Sequence, residues 1–268
     1  MHITKLMAGI GIAVLPIPAT PALAQTSDDY INPDRPGIAD GSTTVGKGRF
    51  QIETAIQVEF RGDSIDREQT IFFPTLLRLG FATNWEVRVE GNTFSRIDRH
   101  DAVLGNTHDS GFAPTSLGLK YNFLPAAPTD KLSLGAIVRV FPPGGSGDFS
   151  TSRTTGDARL AADWTFAGKW SLNPNVGIGF YQDDRGRSYA AALAATTINF
   201  NPNKRVNLFA DMGLQAPEGR NGKNALTIDA GGAYIIGHDV QIDLSIGTGV
   251  AGSTPPHPFI AAGVSRRF

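Results

Sequence analysis

Glu86, Arg88 and Glu90 stand two residues apart, so on an extended chain all three project from one face. Lys120, Arg139, Asp157, Arg159, Asp163 and Asp211 lie in segments of the same alternating kind, on the face without large apolar side chains. Glu53, Glu59, Asp229 and Asp243 extend the set, with Arg266 as a further candidate. Acids and bases that face one another across a polar space hold a transverse field, which is the chemistry of a selective constriction rather than of bond making. The same charges also have a plainer use, since in a narrow interior they must pair with one another or bear the cost of uncompensated burial.

Catalytic arrangements are harder to assemble from this sequence. A lipase- or deacylase-type enzyme needs a Ser nucleophile within reach of a His base. Beyond residue 24 the histidines are His100, His108, His238 and His257, all expected in loops or turns, and none accompanies a Gly-x-Ser-x-Gly arrangement. His100 and His108 share an expected loop with Asp98, Asp101 and Asp109, in a spacing that matches no zinc pattern. Gly144-Gly145-Ser146-Gly147 lacks the Lys and following helix of a phosphate-binding loop and reads as a hairpin tip. No metal and no cofactor is implied.

The elements that must position the charges are strands. From Arg49 to Phe60, Phe50, Ile52, Thr54, Ile56, Val58 and Phe60 fall on one face while Gln51, Glu53, Gln57 and Glu59 fall on the other, an unambiguous period of two. Twelve such segments follow one another, ending with Phe259 to Phe268; the Ala-rich stretch Tyr189 to Phe200, with small residues on both faces, leaves ten or fourteen open as well. Their connections alternate: short turns such as Ala82 to Asn84, Ala167 to Lys169 and Asn201 to Lys204 exchange with longer, Gly-rich and charged ones at Ser95 to Ser110, Pro142 to Gly156 and Gln215 to Lys223. Aromatic residues gather near strand ends. Apolar-out, polar-in strands joined by alternating short and long connections, with aromatic girdles, describe a transmembrane antiparallel up-and-down β-barrel, an all-β fold.

The ends agree with that expectation. Lys5, an apolar run from Leu6 to about Ala19 and Ala22-Leu23-Ala24 form a secretory signal peptide over residues 1–24. Residues 25–48 are expected as an N-terminal periplasmic extension and 49–268 as the barrel, placing the protein in the outer membrane of a Gram-negative bacterium. No later segment is apolar enough for a spanning helix, so a chain in lipid must satisfy its backbone in a closed sheet. With 25 acidic and 24 basic residues there is no basic field for nucleic acid. There is no Cys, so the ladder rather than disulfides must hold the fold.

The last strand ends Arg266-Arg267-Phe268, and a terminal aromatic on an alternating strand resembles the signal read by the barrel-assembly machinery. The segment Asn32-Pro33-Asp34-Arg35-Pro36-Gly37, then Val45-Gly46-Lys47-Gly48 and Phe50-Gln51-Ile52-Glu53, resembles the opening of an outer-membrane transporter-like family named for the MetA pathway of phenol degradation. That resemblance implies a barrel with a role in uptake of small compounds, aromatic ones included, and brings no catalytic residues. Between two prolines, Asp34 and Arg35 suit a stiff segment whose charges pair with the barrel mouth or reach into the lumen as a plug, a gating role; the plainer reading is a turn leading into the first strand. The expectation is a monomeric channel for passive uptake of a small solute through a mixed-charge lumen, surrounded by outer-membrane lipid. An outer-membrane enzyme and a non-conducting structural barrel are the alternatives.

Overall fold

The structure, a computed structural model, describes residues 29–62, 66–103, 105–126, 131–183, 185–252 and 257–268. The expected signal peptide lies outside them. The first strands are β1 (Phe50–Gly62), β2 (Arg67–Ala82), β3 (Trp85–Asp101), β4 (Gly105–Gly111), β5 (Ser116–Leu124) and β6 (Leu132–Phe141). After a single 3-10 turn at Gly147–Phe149 come β7 (Thr155–Ala167), β8 (Trp170–Gln182), β9 (Ser188–Asn203) and β10 (Val206–Ala216). The chain closes with β11 (Ala225–Ile236), β12 (Val240–Ala251) and β13 (Pro258–Arg267).

Every strand pairing is antiparallel, and all join chain neighbours except β3 with β5 and the seam, where β1 pairs with β13 in the register Gln51↔Arg267 to Glu59↔Phe259. β4 pairs only with the far half of β3, from Ser95↔Gly111 to Asp101↔Gly105, while β5 takes the near half. The 13 strands of the described residues therefore make a closed wall of twelve, with β4 as the return arm of a hairpin standing above it. The expected long loop from Ser95 to Ser110 is thus corrected: β3 runs on through it, because its residues satisfy their backbone groups against β4 once the wall ends. His100 and His108, expected in a loop, lie on the two arms of this hairpin. The Ala-rich stretch forms the single strand β9, paired along its length with β8 and β10.

Burial is inverted relative to a water-soluble domain. Leu117, Leu160, Val176, Leu244 and Ile246 are exposed on the outside, whereas Glu53, Arg78, Glu86, Arg88 and Lys120 are among the most buried side chains. Thr54 and Thr75, polar residues on the lipid side, face each other in register and share a hydrogen bond of 2.9 Å. At the short-turn rim Trp85 stacks on Tyr121 (centroids 4.2 Å apart), while Trp170 with Phe200 (4.8 Å) and Phe50 with Phe268 (6.0 Å) meet at a tilt, an aromatic girdle of the kind found at the edge of a barrel's apolar band. Arg266 is corrected to the outside, its guanidinium 4.7 Å from the Phe268 ring, and Arg267 takes the inward position. The parity of a strand that ends in an outward aromatic requires this.

Leu119 is an outward residue with 40% of its surface exposed. Its replacement by Arg is expected to destabilise the folded barrel by about 2–4 kcal/mol if it lies near the bilayer midplane. Urea unfolding in lipid vesicles measures this, and unchanged stability would take Leu119 off the lipid face.

Candidate functional site

The described part of the expected periplasmic extension, residues 29–48, threads the barrel, with Asp29, Tyr30, Lys47 and Gly48 at the short-turn rim and the stretch between them in the lumen. The sequence explains why it can. Pro33 and Pro36 carry no N–H, and the remaining backbone has no ladder to join, so each amide must find a side-chain or loop partner. The lumen supplies them. Arg35 N donates to Glu53 Oε2 (3.0 Å), Ile38 N to Asp211 Oδ2 (2.7 Å), Asp40 N to Asn175 Oδ1 (2.8 Å), Ser42 N to Asp163 Oδ2 (3.0 Å) and Val45 N to Glu86 Oε2 (2.9 Å). Two wall positions are glycine because the plug backbone lies against them: a Cβ on Gly80 would fall 1.9 Å from Gly46 O, and one on Gly135 would fall 2.5 Å from Ser42 O.

Two plug carboxylates anchor the segment. Asp34 accepts from Arg88 Nη1 at 2.6 Å and from Lys120 Nζ at 2.8 Å, with Arg78 Nη1 at 3.7 Å. Asp40 lies 3.1 Å from Arg88 Nη2, 3.4 Å from Arg159 Nη1 and 3.9 Å from Arg139 Nη2. Wall acids complete the network. Arg78 bonds Glu53 (2.9 Å) and Glu86 (2.8 Å), Arg139 bonds Glu90 (3.0 Å) and Asp157 (3.1 Å), and Arg159 bonds Asp157 (3.0 Å). Placed among several partners of opposite sign, these charges have the compensation that burial demands.

Of the residues singled out by sequence, Glu86, Arg88, Glu90, Lys120, Arg139, Asp157 and Arg159 come together on the wall of β3, β5, β6 and β7, and Asp34 joins them from the plug. Asp163 stands nearer the short-turn rim, where it accepts from Ser42 N and Oγ (2.5 Å) and from Asn173. Asp211 is on the opposite wall, bonded to Ile38 N and Thr197 Oγ1. Arg35 crosses to that wall as well, with Nη2 at 3.0 Å from Asp243 Oδ1. Phe268 closes the seam through its N–H to Phe50 O (2.7 Å).

Arg78 and Asp40 were missed. Arg78 sits between Leu77 and Leu79, which the alternation assigns outward, and this parity already placed its guanidinium in the lumen. Asp40 had no such signal, because it belongs to a segment without periodicity. The histidines lie elsewhere: His238 stacks on Tyr30 (4.7 Å), His100 bonds Asn106, and His257 borders a cavity at the long-loop end.

Burial would raise the Asp34 carboxyl, but Arg78, Lys120 and Arg88 overcome it and hold the group well below the ordinary aspartate value of 3.8. Burial opposes ionisation of Asp40 too, and Arg139, Arg88 and Arg159 lower it despite the neighbouring Asp34 charge. A depressed carboxyl contributes its stabilisation fully above the ordinary value and loses it as pH falls through the lowered one. The plug is accordingly expected to stay latched from neutral pH to about pH 4 and to loosen only below 3.8. Channel recordings across that range test this, and opening between pH 5 and 7 would contradict it.

Above and below the plug the lumen is hollow. Toward the long-loop rim lie cavities of about 440 and 500 Å³, and toward the short-turn rim one of about 340 Å³.

Solved structures with the same architecture include an outer membrane channel from Pseudomonas putida F1, 12% identical, matched over 92% of this chain and 100% of that one with a TM-score of 0.68. The β domain of the Bordetella autotransporter BrkA is 14% identical over 83% of this chain and 100% of that one, with a TM-score of 0.51. The transport unit of the autotransporter AIDA-I from Escherichia coli is 9% identical over 83% and 91%, also at 0.51. At such identities the likeness is one of fold. No curated protein matches the chain by sequence. A family model matches residues 33–268, from the Pro-Asp-Arg-Pro anchor of the plug to the terminal Phe268, and the chain thus belongs to the family described as "Putative MetA-pathway of phenol degradation".

Proposed function

We propose that this protein is an outer-membrane channel for passive passage of a small solute, with residues 29–48 as a plug latched by Asp34 and Asp40. The observation that carries this reading is the plug itself, a segment bound through ion pairs and backbone amides with hollow space on both sides. A barrel filled for stability alone has no need of cavities opening toward both rims. The short-turn rim faces the periplasm and the β3–β4 hairpin faces outward, as short turns and long loops do in such barrels. Uptake of aromatic compounds agrees with the family description and with the P. putida structure being that of a channel. Phe268, exposed at the seam, is the assembly signal, and the protein acts as a monomer. Lumenal charges serve mainly to hold the plug, which revises their role from a bare selectivity ring to a latch.

Single-channel recording of the refolded protein in planar bilayers tests the reading. Brief, rare openings are expected from the intact chain, and sustained ones after Asp34 and Asp40 are both replaced by Asn. A silent bilayer in both cases, with correctly folded barrel, would discard the channel.

A further inference from the structure

The lumen is divided by charge. Arg78, Arg88, Lys120, Arg139 and Arg159 stand on β2, β3, β5, β6 and β7, and Asp34 and Asp40 fasten the plug to them. Strands β8 to β12 contain no Lys or Arg whatever, and their acids are Asp211, Asp229 and Asp243. Much of their inner face is small, with Gly177, Ala195, Gly213, Gly231 and Ala233 facing inward and Ala195 paired with Gly213. Most of the ion pairs thus clamp the plug to one half of the barrel, while toward the other it is held by hydrogen bonds such as Asp40 N to Asn175 and Ile38 N to Asp211 and by the ion pair of Arg35 with Asp243.

Two of the three cavities follow this division, whereas the 500 Å³ one lies against the charged wall at Arg88, Glu90, Arg139 and Asp157. The 340 Å³ cavity at the short-turn end is lined by the plug and by β6 to β12, and touches no residue of β1, β2, β3 or β5. The 440 Å³ cavity at the other end lies against β8 to β13 for most of its wall. Both border Arg35, Pro36 and Gly37, so this tripeptide is the septum between them. The septum is thin. Gly37 approaches the wall so closely that a Cβ would lie 3.0 Å from Asp211 Oδ2 and 3.1 Å from Thr197 Oγ1. Few bonds hold it there: Ile38 N to Asp211, Arg35 Nη2 to Asp243, and Gln241 Nε2 to Arg35 O at 3.2 Å.

Hydrogen-bonding capacity at the septum is left over. Asp211 and Asp229 stand opposite each other in register and hydrogen-bond one another, while Asp243 Oδ2, on a residue only 7% exposed, is buried without a partner. Buried acceptors without donors are costly, and a solute that supplies donors relieves that cost as it passes. An anion meets the opposite condition at the septum, acids on a wall without cations, with Arg35 of the plug beside them; Arg159 and Lys131 border the two cavities from outside that wall. Below the septum, Asn207 Nδ2 donates to Asn199 Oδ1 (2.9 Å) and Asn199 in turn to Asn173, a run of neutral amides leading toward the short-turn rim.

We propose that solute passes between the plug and the β8–β12 wall, that Arg35, Pro36 and Gly37 against Asp211 and Asp243 form the gate, and that the gate favours neutral, hydrogen-bond-donating solutes over anions. This rests on the channel reading. It moves the path away from the charged wall, where Glu86, Arg88 and Lys120 become the anchor of a segment that opens on its other side.

The chain has no Cys, so single cysteines report cleanly. Ala195→Cys lines the upper cavity, Ala233→Cys the lower one, and Ser116→Cys the charged wall. Each variant is refolded into liposomes, and swelling is followed with a four-carbon polyol and a carboxylate of similar size, before and after a bulky neutral methanethiosulfonate; mass spectrometry counts adducts. Polyol flux is expected to fall about five-fold or more with adducts at Ala195→Cys and Ala233→Cys and to be unchanged for Ser116→Cys. Carboxylate flux is expected to lag the polyol and to rise by about ten-fold in the Asp211→Asn, Asp229→Asn double variant. Adducts that leave polyol flux intact, cysteines on the β8–β12 wall that fail to react, or an equal block from Ser116→Cys would overturn the path. A carboxylate that keeps pace with the polyol would overturn the selectivity. No polyol flux in unmodified protein removes the channel reading and the inference with it, whereas flux that survives the adducts removes the inference alone.

Discussion

Replacement of Asp34 by Asn is expected to convert rare openings into a predominantly open channel. The side chain is nearly isosteric, so the change removes charge more than shape. It leaves Arg88 and Lys120, with salt bridges to Asp34 of 2.6 and 2.8 Å, and Arg78 at 3.7 Å, short of a buried counter-charge. Breaking one partner out of a buried ionic network costs about 3–5 kcal/mol, because the remaining charges stay desolvated. That cost falls on the latched state alone, since plug displacement lets water reach the three cations. The balance between latched and released plug should therefore shift by about two decades or more. Single-channel open probability reads the shift directly. An Asp34→Asn protein with the gating of the parent would show that this carboxylate does not hold the plug.

Arg78→Met is expected to have an effect of similar size but on the barrel as well. Arg78 is 1% exposed and bonds Glu53, Glu86, Asn32 O and Thr43 O, so it ties β1, β2 and β3 to both ends of the plug. Met fills comparable volume without a charge, leaving Glu53 and Glu86 facing each other across the gap. A loss of about 3–5 kcal/mol in the urea unfolding of the refolded protein is expected, together with increased conductance. Because Asp34 and Arg78 belong to one network, the double variant should lose less than the sum of the two single losses. Additive losses would mean that the two side chains act independently, contrary to the 3.7 Å separation.

Much of the fold was legible because the barrel repeats one rule. In β1 the alternation of Ile52, Thr54, Ile56 and Val58 with Gln51, Glu53 and Gln57 states which side meets lipid and which meets the lumen, with no reference to anything distant in the chain. The same rule places Arg78 and Arg267 inward and Arg266 outward. It also marks β8 to β12 as strands without a single cation. Local pattern breaks down where pairing leaves the wall. The hairpin of β3 and β4 carries Arg96, Asp98, His100 and His108 in a polar run that reads as loop, because above the bilayer no apolar face is required and nothing but a partner strand reveals the extension.

The sequence by itself determined the strand order, the two faces of the wall and the inventory of inward charges, since a period of two and alternating connection lengths are local properties. Only the tertiary structure decided what those charges are for. Asp34, Asp40 and the backbone amides of residues 35–45 meet wall residues as far along the chain as Asp243, and no periodicity encodes contacts between an aperiodic segment and side chains more than 200 positions away. Closing the sheet brought those side chains around one axis, and the need of a ladderless backbone for hydrogen-bond partners then threaded the segment among them, turning a ring of charges into a latch.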